Sequence, residues 1–369
     1  MTLPVTFSPE LQNKIDLLKN RRKAVQLGRI SFAGPLLLAP MSAITSTPYR
    51  LLMQDLGAGG TVSELISCHG INYKGQKTLH MLEISPQEKH VGIQLFGEDP
   101  EAIAQAAQHV EALSNPPKFI DINMGCPVRK VVTKGAGSAL LRTPEKLVTF
   151  FSTIRKAITL PLTVKIRTGW DEQSINALEI AHIAHSEGLE FVSIHGRTST
   201  QQYRGKANWN VIEQVAEASP LPIIGNGDLH APEEIMRRLS TTHCQALMLG
   251  RGPLRSPFLF LESYITAEDK IIFGPHDYLE VLARYRHYLE SYTTLTRVIE
   301  TQVKKHAVWM VAGMPGASQF RSQVFTCPDL PTLWALILQY FEELKKLREH
   351  DGAGFRQKLD CDFIAGGHG

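Results

Sequence analysis

The sequence has few cysteines and no close pair of them. Its five cysteines are Cys68, Cys126, Cys244, Cys327 and Cys361, and no Cys-x-x-Cys motif occurs. An odd number of widely spaced thiols is not the pattern of a disulfide framework or of a zinc module. The sequence therefore predicts reduced thiols, as in the cytosol, and no metal site.

The sequence also lacks a strong net charge. Its 39 lysines and arginines stand against 36 aspartates and glutamates, so the formal net charge is +3. A value this small does not indicate nucleic-acid binding through the overall field of the protein. Any polyanionic partner must therefore be bound by a local basic patch.

Long hydrophobic runs are absent as well. No run approaches the roughly 18–20 apolar residues of a membrane span, and residues 1–34 contain no apolar segment typical of a signal peptide. Hydrophobic residues make up 43% of the chain and charged residues 20%, which is the composition of a soluble globular protein. We therefore expect a cytoplasmic protein.

The chain does contain eight short apolar runs of four to six residues each. The runs cover residues 35–39, 61–66, 91–95, 119–122, 162–166, 191–194, 222–225 and 246–249. They show no polar alternation, which favours strands buried on both faces, as in a parallel sheet.

Segments with the helical period of apolar residues separate these runs. They predict helices over residues 100–113, 144–158, 174–186 and 231–239, with Thr143 as the N-cap of the second and Gly188 as a C-cap after the third. Strands that alternate with helices indicate βαβ units. Eight such units predict an α/β fold, a closed (β/α)₈ TIM barrel, with a doubly wound open sheet as the competing architecture.

The pattern changes after Leu254, where the strand signal stops. Helices are predicted over residues 278–292, 299–311 and 333–347, which form a C-terminal small helical-bundle domain, and over residues 9–22 ahead of the barrel. The predicted domains are an N-terminal extension (1–30), a TIM-barrel catalytic domain (31–270), the helical domain (271–350) and a C-terminal tail (351–369). The extension carries six basic and two acidic residues, so it either contacts a polyanion or caps the bottom of the barrel.

Polar residues and glycines lie at or just after the ends of all eight predicted strands. They include Ser42, Glu64, Gln94, Asn123, Cys126, Lys165, Arg167, His195, Arg197, Asn226, Asp228, Gly250 and Arg251. Active sites of TIM barrels lie at the carboxyl ends of the strands. Packing alone does not explain such residues after every strand, so the pattern predicts a site at this end.

The loops after the last two strands predict a phosphate site, since barrels often bind phosphate there. Four glycines, Gly225, Gly227, Gly250 and Gly252, allow backbone N–H groups to approach an anion. Arg251 adds a charge-assisted donor. The alternative interpretation is ordinary turn chemistry at Asn-Gly-Asp and Gly-Arg-Gly.

Lys165 stands near the end of an otherwise apolar strand, where a lysine is costly to bury unless a negative group meets it. A flavin offers such a partner, because a cation near its pyrimidine ring stabilises the charge that develops on reduction. Gln94 is a candidate for a two-point amide contact with the same ring. The alternatives are a structural ion pair for Lys165 and a capped turn for Gln94.

Cys126 lies between Gly125 and Pro127 directly after a strand. A sharp turn at the glycine, stiffened by the proline, presents the thiol to the mouth of the barrel, whereas the alternative is a small buried hydrophobe. The loop that follows is basic and rich in glycine, which indicates either a loop over a polyanion or a solvated loop. Its basic residues are Arg129, Lys130 and Lys134.

Two longer motifs and several shorter ones point to one family. The longer motifs are Asn-Met-Gly-Cys-Pro at 123–127 and Lys-Ile-Arg-Thr-Gly-Trp at 165–170; the shorter ones lie at 39–41, 47–50, 61–64, 136–141, 194–198, 226–228, 248–251 and 319–321, with Lys305, His306 and Trp309. Together they resemble the tRNA-dihydrouridine synthases, in particular the bacterial type-B branch. The resemblance covers most of the chain, with the motifs in the expected order.

The resemblance implies FMN across the barrel mouth and NADPH or NADH as the reductant. It implies hydride transfer from reduced FMN to carbon 6 of a uracil and protonation of carbon 5 by Cys126. It places the cofactor against Pro40, Met41, Ser42, Gln94, Lys165, His195, Asn226, Gly227, Asp228, Gly250 and Arg251. It places the uracil and the tRNA against Asn123, Arg129, Lys130, Lys134, Arg167, Arg197, Lys305 and Arg321.

The same resemblance implies that the helical domain and the basic loops bind tRNA. It also implies a monomeric enzyme with no obligate protein partner. The chemistry is consistent, because hydride transfer alone leaves carbanion character at carbon 5, so a general acid is needed on the far face. A thiol serves as that acid only if it is protonated beforehand. The target base must also leave its stack to reach a barrel mouth.

Two other functions remain open at this point. One is a flavin barrel oxidoreductase for a small molecule, as in dihydroorotate dehydrogenase or an ene-reductase, which needs the phosphate site but not the helical domain. The other is a non-catalytic RNA-binding protein that retains the barrel, in which Gln94, Cys126 and Lys165 have no function.

Overall fold

The structure is a computed structural model that describes residues 6–351, with side chains through residue 347. Cys361 and nearly all of the predicted tail (351–369) lie outside the described residues. The described chain packs into two compact units. The barrel unit contains residues 22–50 and 58–250, and the helical unit contains residues 6–21, 51–57 and 251–351.

Ten strands occur within residues 6–351. They are β1 (Val25–Leu27), β2 (Ile30–Phe32), β3 (Leu36–Leu38), β4 (Gly60–Ser67), β5 (Val91–Phe96), β6 (Phe119–Met124), β7 (Leu162–Arg167), β8 (Val192–His195), β9 (Ile223–Asn226) and β10 (Ala246–Leu249). Strands β3 to β10 form one closed barrel in the order β10-β3-β4-β5-β6-β7-β8-β9, with every neighbouring pair parallel. Each overlaps one predicted run, so the TIM barrel is confirmed and the open sheet is excluded.

The helices follow in chain order. They are α1 (Pro9–Lys19), α2 (Thr47–Asp55), α3 (Cys68–Asn72), α4 (Gln76–His80), α5 (Pro100–Glu111), α6 (Arg129–Val132), α7 (Leu147–Ala157), α8 (Ala177–Ser186), α9 (Trp209–Ala218), α10 (Pro232–Thr241), α11 (Gly252–Arg255), α12 (Leu259–Glu262), α13 (Pro275–Tyr292), α14 (Thr296–Met310), α15 (Ala317–Thr326) and α16 (Leu330–Asp351). Among these residues, no helix is both long enough and apolar enough to span a membrane.

The predicted cap of α7 is wrong. The Thr143 side chain makes no capping hydrogen bond, since Pro144–Lys146 forms a 3₁₀ turn and α7 begins only after Lys146. The prediction at Gly188 is confirmed, because this glycine follows the end of α8 with φ of 73°.

The β1–β2 hairpin packs its apolar face on the amino-terminal end of the barrel. Leu27, Ile30 and Phe32 belong to one buried cluster with Phe119 and Phe191. Phe119 begins β6, and Phe191 immediately precedes β8. The Phe32 ring lies 5.8 Å from that of Phe119 and 6.1 Å from that of Phe191. Of the two roles open for the N-terminal extension, residues 25–32 therefore take that of a cap.

In the helical unit, α1 is held to α13. The backbone N–H of Ser8 donates to Glu280 at 2.7 Å, and Lys14 pairs with Asp277 at 3.3 Å. The apolar face of α1 is buried, including Leu11. The first part of the N-terminal extension thus packs with the C-terminal helices.

Helix α15 is an element that the sequence reasoning did not predict. The break at Pro315 led to the expectation of three helices after residue 275. Gly316 adopts φ of 70° and serves as the N-cap of α15. Phe320 and Val324 are buried one turn apart, and the Phe320 ring stacks on that of Tyr340 at 4.3 Å. The break is therefore one short connection between two helices.

Candidate active site

The residues that follow the barrel strands meet at one rim. Because the strands are parallel, their last residues lie at the same end of the barrel. Arg167 is the last residue of β7, His195 of β8 and Asn226 of β9. Cys126 follows the end of β6 at Met124. The structure thus brings Cys126 and Asn226 to the same rim.

A buried chain of hydrogen bonds joins strands β5, β6 and β7. The Asp121 carboxylate accepts from Gln94 Nε2 and from Thr163 Oγ1, each at 2.7 Å. The side-chain oxygen of Gln94 accepts in turn from Asn123 Nδ2 at 2.9 Å. Both ends of the Gln94 amide are therefore engaged by protein partners, and one proton and one lone pair are left for a ligand.

Asp121 is a member of this chain that the sequence reasoning did not single out. The available signal was a carboxylate within the apolar run 119–122. Burial raises the pKa of Asp121 to about 6, while the hydrogen bonds from Gln94 and Thr163 oppose that rise. The carboxylate thus depends on its donors to remain charged near neutral pH.

The turn that carries Cys126 is tied at both of its ends. Asn123 Oδ1 accepts from the backbone N–H of Cys126 at 3.0 Å and of Gly125 at 3.3 Å. The Cys126 carbonyl accepts from the Ser138 hydroxyl at 2.9 Å and from the Ser138 N–H at 3.1 Å. The Cys126 position is therefore determined by the Asn123 amide on one side and by Ser138 on the other.

The glycine that this turn requires is Gly137. Its φ is 62°, and an added Cβ would lie 2.8 Å from the Cys126 carbonyl oxygen. A Cβ on Gly125 would meet only ordinary contacts, the nearest at 3.5 Å, and its φ is not in the left-handed region. The expectation that Gly125 permits the sharp turn is therefore wrong.

Cys126 is half-buried, whereas Cys68 and Cys244 are buried. Burial raises the pKa of the Cys126 thiol, while the backbone N–H of Val128 and the positive charge of Arg167 oppose that rise. The net result is a thiol that stays protonated at neutral pH. Such a group is suited to donating a proton and not to acting as a thiolate nucleophile.

Arg167 places a buried positive charge beside the Cys126 turn. Its guanidinium donates to the carbonyls of Gly125 at 2.7 Å, Thr198 at 2.8 Å and Gln202 at 2.7 Å. It is 2% exposed, and burial lowers its pKa to about 10. Its direct hydrogen-bond partners are these neutral carbonyls, and its guanidinium carbon lies 5.6 Å from the centre of the Tyr203 ring.

Lys165 is a second buried cation, with 9% of its surface exposed. Its ammonium donates to Asn226 Oδ1 at 3.0 Å, and Asn226 Nδ2 donates to the Met248 carbonyl at 2.7 Å. The pKa of Lys165 is lowered to about 8, mainly by burial and in part by the positive charge of Arg167, while the Asp121 carboxylate opposes this change. The structural ion pair considered as an alternative does not form among the described residues, because the direct partner is a neutral amide.

The loop after β9 is held by its own contacts. Gly227 has φ of 128°, and Asp228 is left-handed with φ of 53°. The Trp209 indole donates to the Gly227 carbonyl at 3.0 Å. The Asp228 carboxylate accepts from the Ala207 N–H at 2.7 Å and pairs with Arg197 at 2.9 Å.

Arg197 is placed differently from the predicted contact with the substrate. It is 3% exposed. Besides Asp228, its guanidinium donates to the carbonyls of Gly205 at 2.7 Å and Arg204 at 3.2 Å, and it lies 3.3 Å from His195 Nε2. The Arg197 side chain therefore connects the loops after β8 and β9.

A Cβ added to Gly250 would fit without a clash. An added Cβ would have Ala39 Cβ at 3.8 Å and Met41 Sδ at 3.9 Å as its nearest neighbours, and its φ is not left-handed. By contrast, a Cβ on Gly225 or Gly227 would collide with a neighbour, at 2.7 Å from the Trp209 ring or 2.6 Å from Ala207. Arg251 follows Gly250 directly in the chain and belongs to the helical unit.

The segment after β3 forms a tight turn. Thr45 Oγ1 accepts from the Met41 N–H at 3.0 Å and donates to the Met41 carbonyl at 3.1 Å. Ser42 is exposed, while Pro40 and Met41 are half-buried. The backbone N–H of Ala43, which follows Ser42, donates to the carboxylate of Glu64 in the neighbouring strand β4.

The basic residues predicted to contact tRNA fall into two groups. Arg129, Lys130 and Lys134 are exposed on the segment between Cys126 and Gly137, in the barrel unit, and the first two belong to the short helix α6. Lys305 is half-buried on α14 and Arg321 is exposed on α15, in the helical unit.

Comparison with known proteins gives consistent matches along the chain. The sequence profile of the family described as "Dihydrouridine synthase (Dus)" matches residues 37–343. The tRNA-dihydrouridine synthase B of Pseudomonas aeruginosa is 32% identical over 333 residues, covering 89% of this chain and 98% of the relative. That of Pasteurella multocida is 35% identical over 325 residues, covering 87% and 96%.

Solved structures share the barrel at low sequence identity. A 2-naphthoyl-CoA reductase superposes with a TM-score of 0.53 at 12% identity, over 66% of this chain and 52% of the other. A histamine dehydrogenase from Rhizobium sp. 4-9 superposes with a TM-score of 0.50 at 13% identity, over 67% and 47%. The chain thus spans about half the length of these two proteins, and the likeness concerns the fold alone.

Proposed function

The chain belongs to the dihydrouridine synthase family and is an oxidoreductase that acts on tRNA, and on this premise we propose that it reduces specific uridines to 5,6-dihydrouridine with FMN, NADPH or NADH, and Cys126 as the proton donor. Family membership confirms the resemblance indicated by the sequence motifs. Because the substrate is tRNA, the proposal includes a cytoplasmic location. It also includes a monomeric enzyme without an obligate protein partner.

The rim has features that suit a flavin. Lys165 is a buried cation whose direct partner is a neutral amide, so it can meet a negative group without breaking an ion pair. Gly250 lacks a Cβ where the protein itself has room for one, which allows a ligand to approach the backbone. Both features lie at the carboxyl end of the barrel, where such ligands bind.

In this proposal the cofactor is held by residues around the whole rim. The isoalloxazine ring would be held by Pro40, Met41, Ser42, Gln94, Lys165 and His195. The ribityl phosphate would be held by Asn226, Gly227, Asp228, Gly250 and Arg251. When bound and reduced, the flavin supplies the hydride that is added to carbon 6 of uracil.

The chain itself supplies the proton for carbon 5. The observation that best supports this role is the position of Cys126, half-buried at the same rim as the Lys165–Asn226 pair and fixed by Asn123. Burial keeps the thiol protonated until it is used. Loss of the proton leaves a thiolate, which the positive charge of Arg167 stabilises. The thiolate then regains a proton from solvent.

The substrate is bound by two sets of residues in this proposal. Asn123 and Arg167 orient the uracil beside Cys126. The exposed basic side chains of both units, Arg129, Lys130, Lys134, Lys305 and Arg321, contact the phosphates of tRNA. Arg197 is omitted from this set because its guanidinium is buried against Asp228.

Cofactor release and a pair of Cys126 variants test the proposal. The purified protein is expected to be yellow and to release FMN on denaturation. Cys126→Ala is expected to abolish dihydrouridine formation and leave flavin content and NADPH oxidation in place, since the thiol acts on the uracil alone. Cys126→Ser retains the shape but is a far weaker acid, so it too is expected to be nearly inactive. Full activity in Cys126→Ala would refute the assigned role.

A further inference from the structure

An exposed aromatic ring stands on the loop after β4. Tyr73 is 83% exposed, the highest value among the large hydrophobic side chains that the structure describes. Its ring lies 6.5 Å from that of His69, with 23° between the planes. Because this ring is almost fully exposed, it contributes little to the stability of the fold through burial. It is therefore a candidate for stacking on a ligand.

The Tyr73 ring is carried by an ordered backbone. Ser67 caps α3 by accepting from the Gly70 N–H at 3.2 Å, and the Tyr73 N–H donates to the His69 carbonyl at 2.9 Å. Asn72 Nδ2 donates to the Ala102 carbonyl at 2.9 Å, which ties the end of α3 to α5. The backbone that carries the Tyr73 ring is therefore fixed by these hydrogen bonds.

Tyr73 is joined to the loop that adjoins Cys126. His69 Nε2 lies 3.0 Å from Glu98 Oε1. A Cβ added to Gly135, in that loop, would lie 3.5 Å from Glu98 Cβ. Two residues further on, Gly137 packs directly against the Cys126 carbonyl. The aromatic ring and the half-buried thiol thus lie on neighbouring parts of one rim.

Exposed basic residues lie on both sides of this connection. Lys74 and Lys77 follow Tyr73. Arg129 and Lys130 on α6 and Lys134 precede Gly135 in the chain, and all five side chains are exposed. The carboxylate between the two sides, Glu98, is paired with His69. We call Tyr73 with these five basic side chains the Tyr73 surface.

We propose that the Tyr73 surface binds the single-stranded segment of tRNA next to the target uridine, with a nucleobase stacked on the Tyr73 ring. This inference rests on the proposed function, since it takes tRNA as the substrate. Single-stranded nucleic acids are bound by aromatic rings that stack on bases and by basic side chains along the backbone. A target base that leaves its stack leaves its neighbours without a partner, and Tyr73 replaces that partner.

The Tyr73 ring and the two lysines contribute to tRNA binding through different interactions. Stacking on Tyr73 depends on an aromatic face and not on the hydroxyl. Contacts of Lys74 and Lys77 with phosphates depend on charge and weaken as salt increases. The two contributions can therefore be measured separately in the same binding assay.

The test is tRNA binding by the full-length holoenzyme, measured by fluorescence anisotropy with an unmodified transcript. Tyr73→Ala is expected to weaken binding roughly tenfold, whereas Tyr73→Phe retains the wild-type affinity. Lys74→Ala with Lys77→Ala is expected to reduce the slope of log Kd against log salt by about 1.4, or about 0.7 per phosphate. Lys118→Ala, an exposed lysine that precedes β6 at the amino-terminal end of the barrel, is the control and changes neither.

Wild-type Kd and salt dependence in both the Tyr73→Ala and the double lysine variant overturn the inference, as does equal weakening in Tyr73→Phe. Dihydrouridine formation is measured in the same preparations to separate this inference from the proposed function. A wild-type enzyme that forms no dihydrouridine, while Tyr73→Ala still weakens tRNA binding, refutes the proposed chemistry and supports the Tyr73 surface. Normal wild-type chemistry with unchanged binding by all variants refutes the Tyr73 surface alone.

Discussion

Gln94 Nε2 donates to Asp121 Oδ2 at 2.7 Å, and this contact sets the orientation of a second amide. Because a carboxylate accepts and does not donate, Gln94 must turn its NH₂ group toward Asp121 and its oxygen toward Asn123. Asn123 then presents its own oxygen to the backbone N–H of Cys126. A charge buried in the barrel thus orients the turn that carries the thiol.

Replacement of Asp121 by Asn is expected to break this order. An asparagine at 121 can present NH₂ to Gln94, which reverses both amides and leaves the Cys126 N–H without its acceptor. We expect kcat for dihydrouridine formation to fall roughly 10- to 100-fold, as a small displacement of a reacting group does, while the Kd for tRNA changes little. Steady-state kinetics with tRNA and a separate binding titration measure the two effects.

The control for this prediction is Thr163→Val. It removes the other hydrogen bond to Asp121, at 2.7 Å, without touching the Gln94 contact. Both variants leave a buried polar group without a partner, which costs roughly 1–3 kcal/mol of stability. Equal losses of kcat in the two variants would show that the orientation of the amides is unimportant.

The pH dependence of the reaction is expected to report on Cys126. The thiol donates a proton, so the rate falls as it ionises, and burial places that fall above the ordinary thiol pKa. Arg167 lowers the pKa of Cys126, so Arg167→Met is expected to move the fall to still higher pH. The same variant reduces kcat because the thiolate left behind is less stabilised.

Measurement of kcat against pH, with thiolate absorbance followed in parallel, checks both effects of Arg167→Met. Arg167→Lys keeps a positive charge but cannot make all three carbonyl contacts of the guanidinium. Its profile is expected to stay close to that of the wild type in pH, at reduced kcat. A downward shift of the profile in Arg167→Met would contradict the assignment of the proton to Cys126.

Lys165 is expected to make FMN binding depend on pH. Burial lowers the pKa of Lys165 to about 8, because the fold disfavours the charged ammonium. The loss of folding stability from this charge is fully present below pH 8 and is relieved as the pH rises above it. A negative group at the flavin favours the charged form. FMN affinity of the apoprotein is therefore expected to fall above pH 8, by up to about tenfold per pH unit.

Titration of the apoprotein with FMN at pH values on both sides of 8 checks this prediction through flavin fluorescence. Lys165→Met is expected to bind FMN more weakly and without this pH dependence. Lys118→Met, a change at an exposed lysine ahead of β6, serves as the control. An affinity that is flat with pH in the wild type would remove Lys165 from the cofactor site.

The barrel was predictable because each buried parallel strand is a continuous apolar run, and eight such runs are visible. Cys126, Lys165 and Asn226 were also predictable as one group, since strand ends of a parallel barrel share a rim. Asp121 was missed because its partners come from β5 and β7, which periodicity does not reveal. The ion pair of Arg197 with Asp228 was missed for the same reason, since Asp228 lies in the next loop.

The short connections were the other limit of the sequence reasoning. Pro315 is typical of the end of a helical region, yet α15 begins at Ala317 with Gly316 as its N-cap. Thr143 has the residue type of an N-cap, but the 3₁₀ turn that follows it removes the need for a cap. Residue type predicts which caps are available, and tertiary packing decides which are used.

The cap on the amino-terminal end of the barrel predicts a loss of stability that does not involve the rim. Phe32→Ala removes a buried ring that packs on Phe119 and Phe191, so the free energy of unfolding is expected to fall by about 3–5 kcal/mol. Ser31→Ala, at an exposed position of the same hairpin, is the control. Thermal unfolding measures both, and FMN content in the folded protein is expected to be unchanged in each.

Variants in the helical unit test whether the substrate is tRNA or a small molecule. Lys305 and Arg321 are the basic residues on α14 and α15 that we assign to tRNA phosphates. Lys305→Ala with Arg321→Ala is expected to raise KM for tRNA and to reduce the slope of log Kd against log salt, because two phosphate contacts are lost. NADPH oxidation by bound flavin with a small electron acceptor should remain unchanged, since neither Lys305 nor Arg321 is assigned to the cofactor. Unaltered KM and salt dependence for tRNA in the double variant would mean that the helical unit does not grip the substrate, and the case for tRNA would then depend on the barrel rim.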